Sequence, residues 1–124
     1  MSRILLVDNE VDNTSLFRMV LEDNGFEVDV FNDSTLVLAN FKPDYYELII
    51  LDIRMPKIDG LELCLKIRKI DDKVKICFLT ASEIYDEKLK ALLQELDQDV
   101  KCFISKPIEL DDFVNKITQE LNQH

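Results

Sequence analysis

A chain of 124 residues, 47% hydrophobic and 32% charged, is long enough for one domain with its own core and too short for two. Its formal net charge of −10 comes from acids spread along the whole sequence, which argues against direct nucleic-acid binding and fits an attracted cation or a basic partner surface. No apolar stretch approaches the roughly 20 residues of a membrane span and the amino terminus lacks a signal-peptide pattern, so the expectation is one soluble, cytoplasmic domain over residues 1–124 with no membrane contact.

In chain order, the first element is the apolar run Ile4-Leu5-Leu6-Val7, which ends in Asp8. Leu16, Phe17, Val20 and Leu21 then give one face of a helix, with Gly25 as its C-terminal stop. Val28-Asp29-Val30-Phe31 alternates apolar and acidic residues, as an edge strand does, and Asn32-Asp33-Ser34 offers N-caps for a short helix through Phe41. A third run, Leu48-Ile49-Ile50-Leu51, ends in Asp52. A loop with Pro56 and Asp59-Gly60 follows, then a helix carrying Leu61, Cys64, Ile67 and Arg68. The fourth run, Ile76-Cys77-Phe78-Leu79, ends in Thr80 and precedes a helix from about Glu83 to Leu96. The fifth, Cys102-Phe103-Ile104, passes through Ser105 into Lys106, and the last helix shows the stripe Leu110, Phe113, Val114, Ile117 and Leu121.

Five strand–helix repeats predict an α/β fold, a (βα)5 doubly wound parallel sheet with helices on both faces. The first and third runs are continuously apolar, as central strands buried on both sides are. With the second run at an edge, the strand order is 2-1-3-4-5, and the crevice where the winding direction reverses opens between Asp8 and Asp52. Cys77 and Cys102 lie in apolar runs and read, with Cys64, as small buried hydrophobes without metal-type spacing. His124 is the only histidine and sits at the terminus, which removes histidine catalysis and histidine metal sites.

Strands in one sheet lie roughly 4.8 Å apart, so carboxylates at the ends of neighbouring strands repel unless one is protonated or a cation sits between them. A hard divalent ion suits that pair, and Mg2+ fits because waters complete its octahedron. The blander alternative for the two acids alone is a pair of solvated N-caps. Lys106 and Thr80 on the same rim complete a receptor for a phosphoryl group, with Asp52, at the end of the central strand, as nucleophile. A dinucleotide or P-loop site needs a glycine-rich turn after the first strand, and neither Gly25 nor Gly60 is there. The acidic stretch Asp8-Asn9-Glu10-Val11-Asp12 would repel a flavin phosphate.

These motifs resemble the receiver domain of two-component response regulators, along essentially the whole chain. Ile4 to Glu10 is similar to the family's first strand and acidic pocket. Leu51-Asp52-Ile53-Arg54-Met55-Pro56 with Asp59-Gly60 is similar to its phosphoacceptor strand and loop, and Thr80-Ala81 and Lys106-Pro107 to its switch hydroxyl and phosphate-binding lysine. The resemblance implies a regulatory phosphoacceptor rather than an enzyme. A sensor histidine kinase or a histidine phosphotransfer protein would supply the phosphoryl group of Asp52, with Thr80 and Lys106 assisting. Mg2+ would be held by Asp8, Asn9, Asp52 and the backbone carbonyl of Arg54. Thr80 and Phe103 would act as switch residues, and the Lys106-Pro107 bond would be cis. The responding face, formed by the fourth helix, fifth strand and fifth helix, would engage a downstream protein partner or a second copy as a homodimer.

Two departures stand out. Asn9 occupies the place of a second acid, so it ligates without charge. Gln94-Glu95-Leu96-Asp97-Gln98-Asp99 replaces the usual Gly-Ala before the fifth strand. The sequence ends soon after the fifth helix, so no output domain is expected within it. Two alternatives accompany the switch: a phosphorylation-independent pseudo-receiver acting as an interaction module, favoured only by Asn9, and a metal-dependent phosphatase. The phosphatase lacks the second carboxylate it would need beside Asp52, where Ile53-Arg54 follows instead.

Overall fold

The computed structural model describes residues 2–81, 91, 95 and 102–122. Among them are five parallel strands: β1 (Arg3–Val7), β2 (Glu27–Phe31), β3 (Leu48–Asp52), β4 (Lys75–Ala81) and β5 (Cys102–Lys106). Their order is β2-β1-β3-β4-β5, with β2 at one edge as its alternating pattern requires. Helix α1 (Val11–Asp23) joins β1 to β2, and the short α2 (Val37–Asn40), entered through a 3-10 turn at Ser34–Leu36, joins β2 to β3. Helix α3 (Gly60–Arg68) joins β3 to β4, and a C-terminal helix (Leu110–Asn122) follows β5. The helix expected from Glu83 to Leu96 lies outside the described residues, apart from helical, exposed Ala91 and Glu95. So does the Gln94–Asp99 replacement, Glu95 excepted.

The period of two along each strand divides the core into two layers. Ile4 and Leu6 of β1 and Leu48 and Ile50 of β3 face Phe17 and Leu21 of α1 and Phe113, Val114 and Ile117 of the C-terminal helix. Leu5, Val7, Ile49 and Leu51 face the other way, onto Val37 of α2 and Leu63, Cys64 and Ile67 of α3. All the β3 residues are buried, which is why that run carries no polar residue before Asp52. Each fully buried Leu or Ile contributes about 1.5–3 kcal/mol relative to exposure. The Phe17 and Phe113 rings stack with centroids 4.2 Å apart and tie α1 to the C-terminal helix.

Two local expectations are corrected. The buried face of α1 is Thr14, Phe17 and Leu21, and Leu16 is 49% exposed. Residues advance about 100° each around a helix, so Leu16 and Phe17 cannot both point at the sheet centre. Cys77 and Cys102 are not separate thiols: they face each other in the β4–β5 register with Cα atoms 4.6 Å apart and are joined as a disulfide. Cys64, outside that bond, is buried among the α3 core residues.

At the opposite end of the sheet from the carboxyl ends of the strands, Asp71 is buried and organises two loops. Its Oδ2 accepts the Asp44 N–H at 3.0 Å, and its Oδ1 accepts those of Lys73 at 3.0 Å and Val74 at 3.1 Å. Burial alone would raise this carboxyl, but the three N–H donors outweigh it and hold the group below its ordinary 3.8. A lowered carboxyl contributes stability above the unfolded-state value and loses it as pH falls through the folded one. Asp71→Ala should therefore destabilise the fold by on the order of 2 kcal/mol at neutral pH, because buried donors lose their acceptor. Denaturant unfolding checks this: the gap between the two proteins should narrow as pH falls from about 4, and a gap that stays constant from about pH 7 down through the acid range would contradict the assignment.

Candidate functional site

Asp8 follows directly on β1, and Asp52 ends β3, its immediate neighbour in the sheet. Both are almost wholly buried, at 0% and 4% exposure. The chain turns the same way after each. The Glu10 N–H donates to Asp8 Oδ1 at 2.9 Å, and the Arg54 N–H donates to Asp52 Oδ1 at 3.1 Å. One oxygen of each carboxylate is thus held by its own backbone two residues on, in the turn that aspartates favour. The remaining oxygens converge on Lys106, whose Nζ lies 3.4 Å from Asp8 Oδ2 and 3.0 Å from Asp52 Oδ2.

Lys106 ends β5, two strands from β3, and its side chain reaches across the end of β4. The Lys106–Pro107 peptide bond is cis, and the chain leaves the strand there towards the C-terminal helix. Thr80, in register with Ser105 near the end of β4, is buried at 2% exposure. Phe103 is inside the core, its ring 6.1 Å from that of Phe78 and nearly parallel to it. Asn9 and Arg54 are exposed at the lip, Asn9 between Asp8 and Glu10.

Two contributors are not on the expected roll. Glu10 Oε1 lies 3.9 Å from Lys106 Nζ, and ligand oxygens of Asp8, Glu10 and Asp52 all fall within 4.8 Å of one another. Asn32 is no helix cap; Asp33 caps the next turn by accepting the Thr35 N–H. Asn32 Nδ2 instead donates to the Asp8 carbonyl and to Thr14 Oγ1, both at 2.9 Å, pinning the turn after β1 to α1. Its position directly after the edge strand β2, level with Asp8, was the one available signal. At the start of α3, the Gly60 N–H donates to the Ile53 carbonyl at 2.9 Å. A Cβ on Gly60 would collide with the Asp52 carbonyl oxygen and stand 2.9 Å from Ile53 Cα, so only glycine allows this approach.

Burial, then the adjacent Asp8 charge, raises the Asp52 carboxyl to about 6, against the opposing pull of Lys106. Lys106 is itself raised: burial would lower it, but Asp52, Asp8 and Glu10 together favour its charged form. At neutral pH Asp52 is therefore ionised beside a second buried acid. Such a set of oxygen donors, fixed by backbone turns and short of positive charge, fits a hard divalent cation.

The response regulator receiver domain profile matches residues 4–118. The chain is 31% identical over 115 residues to the transcriptional regulatory protein TrcR of Mycobacterium tuberculosis, a match covering 93% of this chain and 43% of TrcR. Among solved structures it is similar to a non-phosphorylated HemR receiver domain from Leptospira biflexa, with TM-score 0.86, 26% identity and coverage of 100% and 97% of the two chains. It is likewise similar to a receiver domain protein from Methanospirillum hungatei, with TM-score 0.85, 26% identity and coverage of 98% and 94%. This chain belongs to the response regulator receiver domain family. It spans less than half the length of the curated relatives named or akin to TrcR that it matches. No helix among the described residues is long and apolar enough to cross a membrane.

Removing the lysine tests how the site is balanced. Lys106→Met should raise the Asp52 carboxyl further above about 6, because its main opposing influences come from Lys106. Carboxyl-carbon NMR titration of Asp52 in metal-free buffer reads this directly. A midpoint unchanged or lowered in the variant would contradict the charge balance described.

Proposed function

We propose that this receiver domain is a phosphorylation-controlled signalling switch in which Asp52 accepts a phosphoryl group from a cytoplasmic histidine kinase or histidine phosphotransfer protein. The observation that carries this reading is the convergence of Asp8, Asp52 and Lys106 at the rim, with Lys106 Nζ 3.4 Å from Asp8 Oδ2 and 3.0 Å from Asp52 Oδ2. In the transfer, an Asp52 carboxylate oxygen bonds to phosphorus as the phosphorus–nitrogen bond of the donor histidine breaks. Lys106 then pairs with a phosphoryl oxygen as it now pairs with the carboxylate, and the Thr80 hydroxyl donates to another. Asp8, Asn9, Asp52 and the Arg54 carbonyl would hold Mg2+, which supplies positive charge to the phosphoryl oxygens. A groove of ≈590 Å³ beside Lys106, walled by Asn13, Leu16 and Phe17 of α1 and by Pro107 and Ile108, supports approach of the donor from that side.

Drawing Lys106 and Thr80 towards the new charge shifts the ends of β5 and β4, and Phe103 follows Thr80 as the aromatic partner of that movement. The readout would be a downstream protein, or a second copy of the chain, on the face that includes β5 and the C-terminal helix. The domain acts as a regulatory acceptor that assists its own phosphorylation and dephosphorylation, not as an enzyme on a separate substrate. The pseudo-receiver reading keeps one observation, the uncharged Asn9 at the lip.

Intact-mass measurement after incubation with a small phosphodonor and Mg2+ tests the reading. The wild-type chain should gain one phosphoryl group and Asp52→Asn none. Equal labelling of both would remove Asp52 as the acceptor, and no labelling of either would favour the pseudo-receiver.

A further inference from the structure

We propose that Glu10 is a ligand of the divalent cation in this pocket and supplies the acidic charge that Asn9 lacks. The inference rests on the receiver reading above and adds a residue to its metal site. Asn9 offers only a neutral amide oxygen. The next residue, Glu10, brings a carboxylate oxygen within 4.8 Å of those of Asp8 and Asp52, and its Oε1 faces the same ammonium group as they do.

The side chain is positioned for this and uncommitted to another task. Glu10 is the N-cap residue of α1, where a side-chain oxygen ordinarily accepts a backbone N–H of the first turn, yet its carboxylate makes no capping bond. Its backbone N–H is held by Asp8 Oδ1 at 2.9 Å, and Asn13 Nδ2 donates to its Oε2 at 3.2 Å. One carboxylate oxygen is therefore steadied from the helix side and the other, Oε1, is left towards the pocket. Glu10 is 62% exposed on its side chain, so it closes the site from the solvent side, where water ligands also enter.

Charge supports the same assignment. Asp8 and Asp52 against Lys106 leave one net negative charge, whereas Asp8, Asp52 and Glu10 against Lys106 leave two, matching a divalent ion. Ligand charge count is a main determinant of affinity for hard cations. A glutamate is also one methylene longer than an aspartate, which lets a residue one position further along the turn reach the same space.

Calorimetric titration of the purified chain with Mg2+ alone, without phosphodonor, tests this on wild type, Glu10→Gln, Asp12→Asn and Asp52→Asn. Asp12 is an exposed acid in the first turn of α1, outside the three-carboxylate cluster. Glu10→Gln should weaken binding by roughly tenfold, and Asp12→Asn by less than about twofold. Glu10 is exposed, so Glu10→Gln should melt with wild type in metal-free buffer. Wild-type affinity in Glu10→Gln would overturn the proposal, as would equal weakening by Asp12→Asn, which would mark a long-range field and not ligation. Loss of binding in Asp52→Asn with full binding in Glu10→Gln overturns the role of Glu10 alone. Absent binding in wild type, or binding indifferent to Asp52→Asn, overturns the metal pocket and this proposal together.

Discussion

The Lys106 ammonium group, shared between Asp8 and Asp52, is the interaction on which the rest of the rim depends. Two nearly buried carboxylates on adjacent strands carry a desolvation cost and repel each other, and one cation offsets both effects only when it lies between them. That geometry needs β1 beside β3, and β5 near enough for a lysine to span the end of β4, which is what the order β2-β1-β3-β4-β5 provides. The cation therefore links the ends of three strands across a fourth, and the fourth carries Thr80.

The polar groups around this contact are matched closely. Among the described residues no buried side-chain nitrogen or oxygen lacks a hydrogen-bond partner. Asp8 alone engages the Glu10 N–H, the Asn32 amide and Lys106 through its carboxylate and carbonyl. In a region of low effective dielectric, a matched network of this kind holds a fixed geometry, and removing one member leaves its partners exposed to the full cost of burial. The site can be both strained in charge and well ordered because backbone turns hold one oxygen of each carboxylate while Lys106 holds the other.

Much of this was legible before any coordinates because it is written locally. A short continuous apolar run such as Leu48 to Leu51, bounded by turn signals, reads as a strand buried on both faces, and the polar residue ending it then lies at the sheet's rim. The alternation in β2 likewise marked the edge and with it the strand order. Other features depend on what a distant segment does. Leu16 and Phe17 satisfy helical periodicity about equally well, and the position of Phe113 decides which is buried. Cys77 and Cys102 become partners only through the β4–β5 register. Asp71 is an acid that sequence places in a polar loop, and its burial follows from three N–H groups, one of them 27 residues away. Glu10 was read as part of an acidic stretch but not as a ligand, because a long exposed side chain at a helix start has many destinations, and Lys106, 96 positions on, singles one out.

The contact of Gly60 with the backbone of Asp52 and Ile53 gives the molecule an unequal pair of jaws. On one side, α3 begins against the end of β3 itself, bonded to the Ile53 carbonyl with no room for a side chain between them. That jaw is fixed: the strand end and the helix shift together or not at all. On the other side, Lys106 stands at the end of β5, beyond β4, and meets Asp52 through its side chain. On the proposed reading, the freer jaw is the one that carries Lys106, and a displacement set off at Asp52 would have a built-in direction of travel, away from α3 and towards the C-terminal helix.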